Sequence, residues 1–218
     1  MVLKPRYIWP LLIFGPACFL IFIATRGCNH SFERLEDYGQ IKPYTFTDIR
    51  GKVRSSNEFH DKVVIITTLQ STCPYDCAVQ LNKINQLLYQ HIKNNSRKKL
   101  KQVRIISFVT DAKGNPVKDL SNLNETLVRE VEDYDPNLWI LASGDARKIY
   151  TISHNGQTLL EKGAEYYGGE AFLELMLLLD KNHHLRMVLN GSQEGTIRRM
   201  RESLALLLKQ YDQDRALR

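Results

Sequence analysis

The stretch "KVVIITTLQSTCPYDCAVQLNKI", Lys62 to Ile84, contains the strongest sequence signals for the fold. Its first part, Lys62 to Gln70, is a continuous run rich in β-branched residues, which is typical of a strand buried on both faces. Its second part repeats apolar residues at three- and four-residue spacing, which predicts a helix with one apolar face from about Pro74 to Lys93. The stretch therefore predicts a central strand followed by a helix, with two cysteines at the junction.

Strand and helix patterns continue to alternate on both sides of this stretch. Strand patterns recur at Gln102 to Thr110 and at Asn137 to Ser143, and a helical pattern at Asp119 to Val131 separates them. Upstream, "YTFTDIRGKVRS" predicts a short hairpin around Arg50 and Gly51. A βαβαβ order of this kind predicts a sheet with parallel strand pairs and helices packed on its faces.

The last part of the chain has a different pattern. Two apolar runs, "AFLELMLLLD" and "HLRMVLN", are separated by Lys181 to His183 and predict an antiparallel hairpin. A final helix is expected from about Glu194 to Tyr211. A mixed sheet that ends in a hairpin and then a helix has the thioredoxin-like order, so we predict an α/β, thioredoxin-like fold with flanking helices.

The amino-terminal stretch from Tyr7 to Thr25 holds 19 residues without a charge. A bilayer core needs about 20 apolar residues, whereas a cleaved signal peptide has an apolar region of only about 7 to 15. We therefore predict one transmembrane helix within residues 1–26, a polar tether at 27–43 and the thioredoxin-like domain at 44–218. A cleaved signal and a lipoprotein signal acylated at Cys28 are the alternatives.

The charges around this stretch predict its orientation. Lys4 and Arg6 precede it, and the bias of positive charge places the amino terminus in the cytoplasm. The domain would then lie on the non-cytoplasmic side, in a periplasmic or equivalent oxidising compartment. A dithiol there needs a reductant to stay reduced.

Composition narrows the possible partners. With 43% apolar and 25% charged residues, the chain matches an average globular protein. Three of its +6 net charges lie at the amino terminus, so the exported part is only mildly basic. The densest basic run, Lys93 to Arg104, has no interleaved aromatic residues, which argues against a nucleic-acid partner. A solvated helix end or contact with acidic lipid headgroups fits this run better.

The cysteine pair carries the chemistry. Residues four apart on a helix have Cβ atoms about 5 to 6 Å apart, whereas a disulfide wants about 3.5 to 4.5 Å, so Cys73 and Cys77 can close only with local distortion. Strained, accessible disulfides are the reducible ones. Pro74 suits the first helical position, which places Cys73 at a helix amino terminus that favours thiolate. Redox chemistry and Cu(I) binding are both open, as is an inert structural pair.

With these residues the chain resembles the Sco (SenC) proteins, from about Tyr44 to Leu207. The resemblance includes "YTFTDIRGKV" leading to "FHDKVVII", C-P-x-x-C at Cys73 to Cys77, "IISFVTD" and a tryptophan strand at Trp139. Sco proteins are membrane-anchored, thioredoxin-fold factors for the copper sites of cytochrome c oxidase. The resemblance implies a copper-receiving or dithiol partner such as a cytochrome c oxidase subunit. It also implies Cu(I) ligands at Cys73, Cys77 and a histidine.

The histidine of the family pattern does not carry over. Glu170 or Ala171 stands in its place, and Ala78 and Ala112 replace two prolines that the family usually has. His183 and His184 are expected at the hairpin turn as surface residues, far from the cysteines. His154 also has a turn pattern, and His60 precedes the first central strand and would lie at its wrong end.

Asp111 is a further candidate for the site. It follows the second central strand, whose carboxyl end should lie near the cysteines, and a carboxylate there could exchange protons with a thiol. A solvated turn residue or helix cap is the alternative.

These observations predict thiol-disulfide exchange through Cys73 and Cys77 in support of copper-site assembly. One alternative is a Cu(I) metallochaperone that uses both cysteines and a third ligand from the loop Glu165 to Glu170. A second alternative is an assembly scaffold without catalysis.

Overall fold

Strands and helices follow one another in the alternating order that the sequence predicts. The structure is a computed structural model that describes residues 15–16, 18–20, 34–71, 76–95, 100–111, 113–150, 153–154, 157–158 and 175–216, with the backbone alone at 76–78, 153–154, 157–158 and 216. The strands are β1 (Thr45–Asp48), β2 (Val53–Ser55), β3 (Val63–Gln70), β4 (Val103–Thr110), β5 (Trp139–Ser143), β6 (Ser153–His154), β7 (Gln157–Thr158), β8 (Leu175–Leu179) and β9 (Leu185–Asn190). The helices are α1 (Asp76–Ile84), α2 (Gln90–Lys93), α3 (Ser121–Glu130) and α4 (Glu194–Ala216).

Seven strands form one mixed sheet in the order β2-β1-β5-β4-β3-β8-β9. Strand β3 pairs in parallel with β4, and β4 pairs in parallel with β5. The hairpin β8–β9 adds antiparallel to β3, and the hairpin β1–β2 adds antiparallel to β5. The predicted thioredoxin-like α/β fold, with both hairpins and the parallel core, is confirmed.

Strand β3 is buried on both faces, as its apolar run predicts. Val63, Ile65 and Leu69 belong to a core that also contains the apolar sides of α1, α3 and α4. Val64 and Ile66 belong to a second core, rich in aromatic residues, on the other face. Burying one such side chain stabilises the fold by roughly 1.5 to 3 kcal/mol, so this strand fixes the centre of the sheet.

The helix after β3 contains one irregular turn. Between α1 and α2, residues Asn85–Tyr89 form a π-helical turn, which inserts one extra residue into the helical repeat. Leu88 and Tyr89 are therefore both fully buried, although they are neighbours in sequence. The predicted helix from Pro74 to Lys93 is observed from Asp76 onward, and Pro74 lies outside the described residues.

Residues 34–43, which we name the strap, pack on the domain. Leu35 and Ile41 are buried, one in each core. The Tyr38 N–H donates to Leu185 O and the Leu185 N–H donates to Gly39 O, both at 2.9 Å. The sequence predicts a tether at 27–43, but the structure places its second part against the β8–β9 hairpin, because two apolar side chains in a polar stretch find buried sites there.

The predicted membrane span falls almost entirely outside the described residues. Of Tyr7 to Thr25, the structure describes only 15–16 and 18–20, and the domain boundary at 26 stays a prediction. Within the described part of the chain, no helix is both long enough and apolar enough to cross a membrane. Arg34–Arg218 form one compact unit.

Candidate functional site

The carboxyl ends of β3, β4 and β5 meet at one edge of the sheet, which we name the carboxyl edge. Strand β3 ends at Gln70, and α1 begins at Asp76. The backbone of Cys77 therefore lies at the second residue of α1. Cys73 and the side chain of Cys77 lie outside the described residues. In the sequence, Cys73 thus falls between this edge and α1, and Cys77 falls in the first turn of α1, where unpaired N–H groups favour a thiolate.

Ser71 fixes the direction in which the chain leaves β3. Its N–H donates to Thr110 O at 2.8 Å, and its hydroxyl donates to the same oxygen at 3.3 Å. Because Thr110 is the last residue of β4, the segment with the cysteines starts beside the end of the neighbouring parallel strand. The βαβ order predicts Cys73 at this edge, and its position there stays a prediction.

A buried hydroxyl network braces the strands behind this edge. Thr67 and Ser107 are paired across β3 and β4, and their hydroxyl oxygens are 2.6 Å apart. The Trp139 indole N–H donates to Ser107 Oγ at 2.9 Å. All three side chains are fully buried, and burial makes such bonds costly to lose. The sequence pattern did not predict this network, although Thr67 and Thr68 interrupt an otherwise aliphatic run and could have indicated it.

Asp111 lies at the same edge but is engaged in its own loop. Its Oδ1 accepts the N–H groups of Lys113 and Asn115, both at 2.8 Å, and its Oδ2 accepts the side-chain amide of Asn115 at 2.9 Å. The hydrogen bonds from Asn115, first from the side chain and then from the backbone, hold the pKa of Asp111 below its usual value. A carboxylate with a lowered pKa is a weak proton acceptor near neutral pH. These hydrogen bonds are those of a residue that stabilises a turn, and a role of Asp111 in proton transfer stays a prediction.

His60, His183 and His184 lie at the opposite edge, which we name the amino edge. The rings of His60 and His183 have centroids 6.4 Å apart, and the Asp61 N–H donates to Lys181 O, so both residues lie where β3 begins. Strand β3 spans eight residues, which is about 26 Å at about 3.3 Å per residue. The expectation that His60, His183 and His184 lie far from Cys73 therefore agrees with the topology.

His183 corrects one expectation. The sequence suggests a surface turn residue, but His183 is only 8% exposed and its Nε2 has no hydrogen-bond partner in the part that the structure describes. The reason is the strap, since the Ile41 N–H donates to His183 O and the chain passes over the turn. His184 does stay at the surface and bonds Asp37 through Nδ1 at 2.8 Å.

Among the described residues, which exclude Cys73 and the side chain of Cys77, no group of three histidine, cysteine or acidic side chains is placed to hold a metal ion. His154 is described by its backbone alone, in β6, and the loop Glu165 to Glu170 lies outside the described residues. A third ligand for Cu(I) on Cys73 and Cys77 therefore stays a prediction, with the loop Glu165 to Glu170 as its expected source.

Comparison with solved structures shows which proteins share this fold. BsSco, described as a member of the Sco family of cytochrome c oxidase assembly proteins with a disulfide switch, matches with a TM-score of 0.53 at 16% identity, over 78% of this chain and 96% of its own. A SCO1/SenC family lipoprotein from Bacillus anthracis matches with a TM-score of 0.50 at 18% identity, over 76% and 95%. The chain has the fold of the Sco proteins.

This Sco fold is also shared with redox proteins. A candidate protein disulfide isomerase from Bacteroides thetaiotaomicron matches with a TM-score of 0.53 at 15% identity, over 81% of this chain and 95% of its own. No protein-family model and no curated protein matches the chain. Of the positions where the sequence departs from the Sco pattern, Glu170, Ala171 and Ala112 lie outside the described residues, and Ala78 is the third residue of α1.

Proposed function

We propose that this chain is a membrane-anchored, Sco-like thiol-disulfide oxidoreductase that supports copper-site assembly in cytochrome c oxidase. One observation carries the proposal: Cys73 and Cys77 are four apart, with Cys73 between the central buried strand and α1 and Cys77 in the first turn of α1, within a Sco fold. The sequence resemblance and the fold point to the same family. The anchor at residues 1–26 and a domain on the non-cytoplasmic side are part of this proposal.

The two cysteines have different roles in the proposed reaction. The Cys73 thiolate attacks one sulfur of a partner disulfide, the partner S–S bond breaks, and the leaving thiolate takes up a proton. Cys77 then attacks the sulfur of Cys73, which releases the second partner thiol. The partner gains two electrons and two protons, and the chain is left with a Cys73–Cys77 disulfide. An external dithiol donor must reduce this disulfide before the next cycle.

The missing histidine favours exchange over copper carriage. In the Sco pattern a histidine completes the Cu(I) site, and here Glu170 or Ala171 stands at that position. Two thiolates can hold Cu(I), but with two ligands the site is more open. Keeping the cysteines of a copper-receiving partner reduced requires no third ligand.

A reductase assay tests the proposal. The fully reduced full chain is mixed with an oxidised dithiol copper-site peptide, and free peptide thiols are followed against time. We expect Cys73→Ser to abolish reduction of the peptide and Cys77→Ser to stop the reaction after one mixed disulfide. If both serine variants reduced the peptide as the unmodified chain does, the proposal would be wrong.

The second candidate function is a Cu(I) metallochaperone, which the C-P-x-x-C spacing in a Sco fold favours. The reduced chain would be titrated with Cu(I) against a chromophoric chelator. Tight one-to-one binding that both Cys73→Ser and Cys77→Ser remove would support the carrier and direct the search for a third ligand to Glu165 to Glu170. A scaffold without catalysis instead predicts that replacing both cysteines leaves copper-site assembly intact.

A further inference from the structure

An open cleft lies between the β1–β2 hairpin turn and the start of β5. Its volume is about 180 Å³. Strand β1 pairs with β5 only through Thr47–Ser143 and Asp48–Ala142, whereas β5 already begins at Trp139. The turn after Asp48 therefore diverges from β5, and the gap between them forms the cleft. Pro136 and Asn137 close its other side.

Three cationic side chains from the hairpin line this cleft, and we name it the cation cleft. They are Arg50, Lys52 and Arg54. The one carboxylate in the lining, Asp48, uses its Oδ1 to accept the backbone N–H groups of Arg50 at 2.9 Å and of Lys52 at 3.1 Å. Asp48 therefore stabilises the turn through the backbone of Arg50 and Lys52, and these hydrogen bonds do not use their cationic side chains.

The three cations differ in how they are balanced. Arg54 donates from Nε to Glu58 Oε2 at 3.0 Å, and its side chain is only 20% exposed, so it is held in place. Arg50 and Lys52 are exposed, and within the described residues neither side chain has an ion-pair partner. The cleft thus combines one positioned guanidinium with two exposed cationic groups that form no ion pair among the described residues, although Lys52 interacts electrostatically with Glu58.

A fourth cation lies behind the cleft. Arg104, near the start of β4, is half-buried and donates to the carbonyl oxygens of Lys101 and Val103, both at 2.7 Å. Burial lowers the pKa of Arg104, and although Asp135 opposes this effect, the positive charge of Arg54 adds to it. The positive charges at this end of the sheet are therefore close enough to interact, and an anion in the cleft would relieve their repulsion.

We propose that the cation cleft binds a phosphate-type oxyanion. Guanidinium groups present paired N–H donors that match the oxygen atoms of phosphate, and ammonium groups add a point charge. A cleft of about 180 Å³ is large enough for such an anion with part of its hydration shell. The ligand is either a free phosphate compound or the headgroup of an anionic phospholipid. The cleft lies at the amino edge, away from the segment with Cys73, so this binding site is independent of thiol chemistry.

Calorimetry on the full chain in a nonionic detergent tests the site, with inorganic phosphate as the probe. We expect saturable one-to-one binding that weakens at least about tenfold when Arg50→Ala and Lys52→Ala are combined. The matched control combines Lys113→Ala and Lys118→Ala, which removes two exposed positive charges from the loop after β4. Equal weakening in both double variants, or no saturable binding at millimolar phosphate, would overturn the proposal. Thermal unfolding of each variant verifies that it folds.

Hydrogen exchange separates the two sources of the anion. The full chain is placed in nanodiscs of phosphatidylcholine alone or of phosphatidylcholine mixed with phosphatidylglycerol, and the backbone amides of residues 48–54 are followed. Protection that requires phosphatidylglycerol, and that the cleft double variant loses, identifies a lipid headgroup. Calorimetric binding without such protection identifies a free phosphate compound. If neither calorimetric binding nor this protection were observed, the proposed site would be contradicted.

Discussion

At the carboxyl edge, the chain leaves β3 beside the end of β4, enters the segment with Cys73, and begins α1 one residue before Cys77. At the amino edge, about 26 Å away along β3, the chain places His60, His183 and the strap. The segment that contains Cys73 therefore starts at one end of β3, whereas His60, His183 and His184 lie at the other end. Under the proposed function, the thiols act at the carboxyl edge without these imidazoles, and thiol-disulfide exchange requires none.

The largest expected difference between the two edges is in exchange activity. Cys73→Ser should lower the rate of peptide reduction by at least about a hundredfold, because the attacking thiolate is removed. The double variant His183→Ala/His184→Ala should leave that rate unchanged. The measurement is the initial rate of thiol release under identical protein concentrations. A large loss in the histidine variant, with the fold intact, would show that the two edges act together.

The next test asks whether the strap is part of the folded domain. Ile41 is only 4% exposed and packs in the aromatic core, so Ile41→Ala should lower the free energy of unfolding by about 2 to 4 kcal/mol. Urea unfolding of the full chain measures this change. The control is Lys42→Ala, an exposed neighbour, with an expected change of less than about 0.5 kcal/mol. A small change in unfolding free energy for Ile41→Ala would support a tether at 34–43 that does not pack on the domain.

Behind the carboxyl edge, two buried hydroxyl groups should respond in opposite directions. Ser107→Ala removes the acceptor of the Trp139 indole N–H and the partner of Thr67, which should destabilise the fold by about 1 to 3 kcal/mol. Thr110 is also fully buried, but its hydroxyl has no partner within the described residues. Thr110→Val keeps the shape and should be neutral or stabilising by up to about 1 kcal/mol. Equal destabilisation of both variants in urea would contradict the hydrogen-bond assignment.

The smallest expected effect is the pH dependence of the strap. Burial raises the pKa of Asp37, but the Gly39 N–H and the neighbouring His184 and Arg186 outweigh it and hold this pKa below its usual value. A lowered folded-state pKa stabilises the fold at pH values above the unfolded pKa of about 3.9, and the contribution is lost as the pH falls further. Because Asp37 is 45% exposed, solvent screening limits the effect to about 0.5 to 1 kcal/mol.

Urea unfolding from pH 7 to pH 3 checks this effect. The difference in unfolding free energy between the unmodified chain and Asp37→Asn should be present at neutral pH and should shrink below about pH 4. The control is Asp214→Asn, in a more exposed ion pair with Arg34. A difference that stayed constant down to pH 3 would show that Asp37 acts through shape and not through its charge.

The sequence predicts the carboxyl edge well because its signals are local and strong. Burial on both faces requires a continuous apolar run, and β3 has one, so its place in the sheet follows from composition alone. The hairpin at Lys181 to His183 follows from turn residues between two apolar runs in the same way. The cysteine spacing then indicates thiol chemistry at the start of the helix.

The amino edge is harder to predict because its contacts join segments that are far apart in sequence. Asp37 and His184 are 147 residues apart, and no sequence pattern around either residue predicts their contact. The strap contains only isolated apolar residues, which a polar stretch also contains by chance, and the burial of His183 follows from the strap. The cation cleft likewise depends on how the β1–β2 turn diverges from β5, and no local sequence pattern predicts that divergence.

Trapping of a mixed disulfide is the most direct test of thiol-disulfide exchange through Cys73 and Cys77. The reduced Cys77→Ser chain is mixed with an oxidised dithiol copper-site peptide, and the product is identified by mass spectrometry after digestion. We predict a covalent adduct through Cys73 that accumulates in Cys77→Ser and is absent in Cys73→Ser. If neither variant formed the adduct, and the peptide remained oxidised in the presence of every form of the chain, thiol-disulfide exchange would be contradicted as the function.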